Sequence, residues 1–412
     1  MKVTIVGIGE DGIAGLTNST RSVIASADIL VGGERHLAMV ETTGKTIILW
    51  QKPISKTIDE IKNYTDRAVC VLASGDPMWY GIGKMILQAI PEALVIPALS
   101  SFSLACSRLG WSMEDVDQLS LCGRPVSLLT SYLAPGRHLL VLGSDQNTVY
   151  QIGELLKQTN YDSSRLTILS NLGGEKERII SLSLSEARGE FPALSVIAIE
   201  CLSNGLPLCR SRLPGLPDRA YRHDGQLTKS QVRAITLAAL APAPGELLWD
   251  IGAGCGSISI EWLRSHPLCR AIAIEPTRID YIAENAQALG VPHLQIVQGK
   301  APEALDGLPT PQAIFIGGGI TTPNLVEICW QSLPTYGRLI ANAVTLESQA
   351  LVYRWQQQLG GTLTRISIEN AEPIGNFRIW KSQAPIVQWS VMKQPGLSPA
   401  DPHYSPPNHS NH

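Results

Sequence analysis

The stretch LLWDIGAGCGSISIEWL, residues 247–263, decides the fold of half of this chain. An apolar run fit for a buried strand carries Asp250 near its end, turns through Gly252, Gly254 and Gly256, and resumes as a helix. Glycine suits that turn because the backbone bends sharply and must approach a ligand closely, where a side chain would intrude. The helix that follows offers N–H groups to an anion. Glu275 closes the next apolar run, AIAIE, 21 positions after Gly254, where an acid accepts from ribose hydroxyls. Three glycines can also make nothing more than a tight turn, and the loop alone leaves that reading open.

Two features favour S-adenosylmethionine (SAM) over a dinucleotide. The spacing is D-x-G-x-G-x-G, with an acid ahead of the first glycine, rather than G-x-G-x-x-G. An acid at Asp250 would repel a pyrophosphate but suits the amino group and sulfonium surroundings of SAM. Ala253 and Cys255 complete the turn. Around it the pattern predicts a helix over 227–240 and a strand over 246–251. Helices at 257–265, 278–289, 323–333 and 346–359 then alternate with strands at 270–274, 294–298, 312–317 and 337–343, and two strands end the series. This is a doubly wound, Rossmann-like α/β sheet.

The loop begins after more than half of the 412 residues, and a chain of this length is expected to form two domains. The first half also alternates strands and helices: KVTIVGIG (2–9), SVIASADILVGG (22–33), AVCVLASGDP (68–77) and ALVIPALSSFSLACSRLG (93–110) read as α/β. LSVIAIEC, ending at Cys201, alternates in part, which predicts a sheet with one exposed face. Residues 211–226 fall in a proline- and glycine-punctuated stretch without period and read as a linker. Domains are therefore expected at 1–210 and 227–393, with a disordered tail at 394–412.

Bulk properties narrow the partners. A net charge of −3 and the lack of any Lys/Arg-rich run weigh against a nucleic-acid substrate. Eight cysteines without a C-x-x-C pair fit reduced thiols, and no metal site is expected; His403, His409 and His412 in the tail are a weak exception. No apolar run reaches the ~18 residues of a membrane span, and MKVTIVGIG carries no signal-peptide core, so a cytoplasmic protein is expected.

LTKSQVRA, DIGAGCGSISIE, GKAPEAL (299–305) and AIFIGGG (313–319) together resemble the methyltransferases that modify C15 and decarboxylate a side chain in corrin biosynthesis. The resemblance spans roughly 225–392. It implies that Thr228 reaches the SAM carboxylate, that 252–256 hold the methionine portion, that Glu275 holds the ribose, and that Lys300 and Ala301 flank the adenine. Relatives often carry an acid where Lys300 stands, so backbone groups there would have to accept from the adenine amine.

VGIGEDG (6–12), VGGERHL (31–37), ASGDPMWYGIG (73–83), PALSSFSLACSRLGW (97–111) and SLCGRP (120–125) are similar to the tetrapyrrole methylase family, most of all to its members acting at C5 of the same corrin precursor. That family binds SAM in a cleft between two α/β lobes. The resemblance assigns Gly7, Gly9, Gly75, Asp76, Pro77 and Ser101 to the cofactor cleft, and it notes Cys122 where relatives commonly have histidine. Read singly, VGIGEDG is also a strand ending in a turn, Asp76 a helix cap, and Ser100–Ser101 an N-cap pair.

The two resemblances in one chain imply a bifunctional, SAM-dependent enzyme with one cofactor per domain and a tetrapyrrole substrate, precorrin-6B or its cobalt form. It would methylate C5 and C15, decarboxylate the ring-C acetate, and form a homo-oligomer. Arg222, His223, Lys229 and Arg233 are candidates to grip substrate carboxylates, against the alternative of a solvated helix face. An RNA- or protein-modifying methyltransferase and a SAM-binding scaffold with an inactive first domain stay open.

Overall fold

A computed structural model describes residues 2–192, 195–204 and 211–395. Cys209, the three tail histidines and nearly all of the segment expected to be disordered lie outside those residues. The chain divides into two compact units: residues up to 126 with 132–209, and 127–131 with everything from 210 onward.

The first unit holds two five-stranded sheets. β1 (Lys2–Ile8), β2 (Ile29–Gly32), β3 (Thr46–Leu49), β4 (Ala68–Ser74) and β5 (Leu94–Ile96) form a parallel sheet in the order β3-β2-β4-β1-β5. Ile5, Val6, Val71 and Leu72 are fully buried, as expected of strands covered on both faces. The register pairs Ile8 with Ser74, so the turns after β1 and β4 emerge side by side.

β6 (Val116–Ser120), β7 (His138–Leu142), β8 (Arg165–Ser170), β9 (Arg178–Ser183) and β10 (Ser195–Glu200) make the second sheet, ordered β6-β7-β10-β8-β9. The expectation of one exposed face for LSVIAIEC is corrected here. β10 is the central strand, antiparallel to both neighbours, and Val196 to Ile199 are buried on either face. Its small residue, Ala198, mimics a polar alternation while sitting in the core.

The second unit is built on β11 (Leu247–Ile251), β12 (Arg270–Glu275), β13 (Gln295–Gln298), β14 (Ala313–Ile316), β15 (Arg338–Ala343) and β16 (Thr362–Ile366). A hairpin of β17 (Glu369–Ile374) and β18 (Phe377–Ser382) follows, then β19 (Ile386–Met392). The seven-stranded sheet runs β13-β12-β11-β14-β15-β19-β16, parallel except where β19 enters. Four strands thus follow the last helix where two were expected.

Alternation along β11 sends Leu248 to one face, with Trp262 and Ile282, and Trp249 to the other, with Trp330 and Trp389. Asp250 shares the face of Leu248 and meets the helix Ser257–Ser265 that packs there. Residues 211–226 are bonded into the second unit rather than spanning freely. Among the described residues no helix is long and apolar enough to cross a membrane.

Candidate functional site

In the first unit the turns after β1 and β4 meet. Gly75 N–H donates to the Ile8 carbonyl at 2.9 Å, and Ala98 N–H to the Gly75 carbonyl at 3.2 Å. A Cβ on Gly7 would stand 2.0 Å from the Gly75 oxygen, so only glycine lets these strands approach. Above them lies a cleft of about 390 Å³ lined by both sheets of the unit, including Gly9, Gly75, Asp76, Ser101 and Cys122. Gly7 packs beneath it, and Pro77 follows Asp76 in the turn without lining the cleft.

Asp76 does not cap a helix. Its carboxylate accepts from Met78 N–H at 2.9 Å, and the next helix begins only at Gly83. Ser100 is the N-cap of the helix Ser101–Leu109, its hydroxyl accepting from Ser103 N–H at 3.1 Å. Ser101 is therefore the first helical residue, at the cleft wall.

Several lining residues carry chemistry that the sequence reading missed. Trp50, Trp79 and Tyr80 supply aromatic walls, and Arg35 is the only Arg or Lys among the described lining residues. Arg35 pairs with Glu10 and donates to Ser74 Oγ at 2.9 Å and His36 Nε2 at 3.0 Å. Burial, helped by the Arg35 charge, lowers the His36 pKa to about 4, leaving a neutral ring that can accept. Glu10 and Arg35 were both visible, in GIGEDG and VGGERHL. No local signal says that residues 25 apart in sequence will pair.

In the second unit, Gly252, Gly254 and Gly256 all take positive φ, at 68°, 60° and 80°. A Cβ on Gly252 would lie 2.9 Å from Gly318 N, and one on Gly256 2.9 Å from Ile282 Cγ2. Gly252 and Ala253 donate their N–H groups to the Ile274 carbonyl at 3.0 and 3.2 Å, and Gly254 N–H donates to Glu275 at 3.0 Å. The turn is set by its neighbours before any ligand arrives.

Glu275 is 3% exposed, and its second oxygen accepts from Thr277 N–H, Thr277 hydroxyl and Arg278 N–H at 3.2–3.3 Å. Asp250 supports the turn from beneath: one oxygen accepts from Ser259 N–H at 3.0 Å and from its hydroxyl, while Oδ1 has no partner. Burial pushes the Asp250 pKa up to about 6. The buried Cys255 thiol is pushed up to about 11, which makes it an inert packing group.

Glu275 pairs with Gln298 across β12 and β13, and Gly299 N–H donates to the Glu275 carbonyl at 3.2 Å, so Lys300 and Ala301 stand beside Glu275. Gln226 O lies 3.5 Å from where a Gly254 Cβ would be, bringing the segment that leads into Thr228 next to the turn. All of these residues lie at or beyond the carboxyl ends of adjacent strands, the ligand crevice of such sheets.

Of the candidates to grip substrate carboxylates, Arg233 is corrected by the structure and the others are each engaged with a neighbour. Arg233 is fully buried, donating to Glu261 at 2.5 Å and to the Thr228 and Leu216 carbonyls, so it cannot reach a substrate. Arg222 is exposed but paired with Glu284, in a pocket that also holds Asp224 and Asp280. Lys229 pairs with Asp218 at 3.7 Å, and His223 Nδ1 accepts from Gly225 N–H at 3.0 Å. Among the described residues no group of three or more His, Cys, Asp or Glu is placed to hold a metal.

Comparison with known proteins matches two families in the same order. Residues 2–188 match the tetrapyrrole (corrin/porphyrin) methylases, and 219–393 match the precorrin methyltransferase domain. A precorrin-6Y C(5,15)-methyltransferase [decarboxylating] of Sinorhizobium sp is 44% identical over 95% of this chain and 96% of its own. A cobalt-precorrin-7 C(5)-methyltransferase of Salmonella typhimurium is 30% identical over 48% of this chain and 98% of its own. A probable cobalt-precorrin-6B C(15)-methyltransferase (decarboxylating) of Pyrobaculum calidifontis is 29% identical over 42% of this chain and 93% of its own. With full-length identity of this order and both halves matched in sequence, the chain belongs to the family of decarboxylating precorrin-6Y C5,15-methyltransferases.

Proposed function

We propose that the protein methylates a corrin precursor at C5 and C15 and removes the ring-C acetate carboxyl as CO₂, in cobalamin biosynthesis, with SAM as methyl donor. The observation that carries this is the joining of a tetrapyrrole methylase half to a precorrin methyltransferase half in one chain, with a near-full-length relative named for both activities. The other readings that the loop left open, an RNA or protein methyltransferase and a scaffold, are not favoured by that relative.

We assign one cofactor to each unit and one activity to each, C5 to 1–210 and C15 to 227–393. In the first unit Gly9, Gly75, Asp76 and Ser101 would line the site. In the second unit Thr228, the 252–256 turn, Glu275 and Lys300–Ala301 would do so, with Asp250 beneath. The residues present fit such a ligand. Three left-handed glycines present a turn without side chains, and a buried acid stands at the neighbouring strand end. Three of the hydrogen-bond donors to Glu275 fall on one oxygen, whereas the other accepts only from Gly254 N–H, so that second oxygen keeps acceptor capacity for a ribose hydroxyl.

Bound SAM supplies a methyl group already activated by its sulfonium, so the protein's task is to align it with a nucleophilic carbon and exclude water. The aromatic walls of the first cleft serve that exclusion. Loss of CO₂ leaves an electron pair that the conjugated macrocycle takes up, which asks for no base of unusual strength. We also expect a homo-oligomer, which light scattering of the full chain would read. The central test incubates the full chain with corrin precursor and SAM and weighs the product. Two added methyl groups and one lost CO₂ are expected; an unchanged mass refutes the assignment.

A further inference from the structure

Residues 215–228 run as a strap against the turn of the second unit, and three side chains tie them down. The Asn285 carboxamide, 2% exposed, accepts from Arg222 N–H at 2.7 Å through its oxygen. Its nitrogen donates to the Arg222 carbonyl at 2.9 Å and to the Cys255 carbonyl at 3.0 Å. Arg278 donates to Asp224 at 2.8 Å and pairs with Glu275 at 3.5 Å. Glu261, on the helix that leaves the glycine turn, accepts from Gly215 and Leu216 N–H, from the Tyr221 hydroxyl and from Arg233, which also holds the Thr228 carbonyl.

Two ties reach the candidate cofactor site, at Cys255 of the turn and at the acid Glu275, and the third fixes Thr228, the end of the strap itself. Asn285 is the most direct, since one buried amide spends both donors and its acceptor on the strap and the turn together. A carboxamide gives up these bonds only at the cost of buried polar groups left unpaired. The strap and turn therefore shift together or not at all.

We propose that Asn285 is a positioning residue for the cofactor of the second unit, setting the register of the 215–228 strap against the glycine turn. This rests on the assignment of a SAM site to that unit. It differs from a general packing role because the bonds of Asn285 end on the turn itself.

Asn285→Asp tests it in the full chain. The variant keeps size and acceptors but cannot donate to the Cys255 and Arg222 carbonyls. CO₂ release, followed against SAM concentration, reads the second unit, and C5 methylation by the same chain of a precursor supplied already decarboxylated and methylated at C15 reads the first. The expected result is a KM for SAM in CO₂ release raised by about tenfold or more, the scale of one to two lost hydrogen bonds, with C5 methylation unchanged. Asn285→Ala, which loses all three bonds without setting a charge against the two carbonyls, should raise the same KM. An unchanged KM in folded Asn285→Asp overturns the proposal, as does an equal loss of both activities. A parent chain that releases CO₂ without binding SAM at its second unit would instead overturn the assignment beneath it.

Discussion

At the residue scale, Asp250 shows how one side chain serves two ends that conflict. Its carboxylate holds Ser259 and so fixes the helix behind the glycine turn, yet burial raises its pKa to about 6 from an ordinary 3.8. An acid whose folded pKa lies above its unfolded one keeps its proton longer in the fold. The fold carries no penalty below about pH 4, loses stability as pH rises through about 6, and stays level above that. A rise from 3.8 to about 6 corresponds to about 3 kcal/mol. Asn at this position retains an acceptor for Ser259 N–H and has no charge to bury. The stability of Asp250→Asn relative to the parent should therefore rise by up to ~3 kcal/mol between pH 4 and pH 7 in urea unfolding. A difference that ignores pH would show that Asp250 is ionised in the fold at no cost.

At the element scale, the fold was most legible where a periodic run ends in chemistry specific to the turn. The helix 257–265 and the helix 346–359 were expected at the bounds observed, because glycines or a Thr345 cap mark where each begins. The helix Ser101–Leu109 is of the same kind, started by Ser100. Ser100→Ala should cost about 1 kcal/mol, seen as a lowered urea midpoint, since Ser103 N–H loses its acceptor. Legibility failed where burial is a tertiary fact. β3 and β9 are short edge strands with mixed sequence, and β17–β18 pair only with each other, so no apolar period announced them. The same limit explains the site. Gly252, Gly254 and Gly256 do fall in the strand-to-helix turn read from the sequence, whereas Asn285, Arg278 and the Glu10–Arg35 pair join segments distant in sequence. Arg233 was misread for that reason too: its partner Glu261 is 28 positions away, and nothing local reveals that the helix turns this arginine inward.

At the scale of the whole molecule, two glycine turns of different design sit in separate compact units, each closed by its own glycine contacts. If each unit holds SAM by itself, damage to one turn must leave the other intact. Gly252→Ala forces a side chain onto a φ of 68° and puts its Cβ 2.9 Å from Gly318 N, backbone that cannot step aside. Gly7→Ala acts by clash alone in the first unit, where its Cβ would stand 2.0 Å from the Gly75 carbonyl oxygen. Calorimetric titration of the parent with SAM should give two sites per chain, and each variant one. In product analysis, with each half supplied with the precursor that the relatives of that half are named for, Gly252→Ala should lose CO₂ release and C15 methylation while C5 methylation persists, and Gly7→Ala should show the reverse. A parent that binds a single SAM, or a variant that loses both activities while the other unit stays folded, would mean that the two halves share one site.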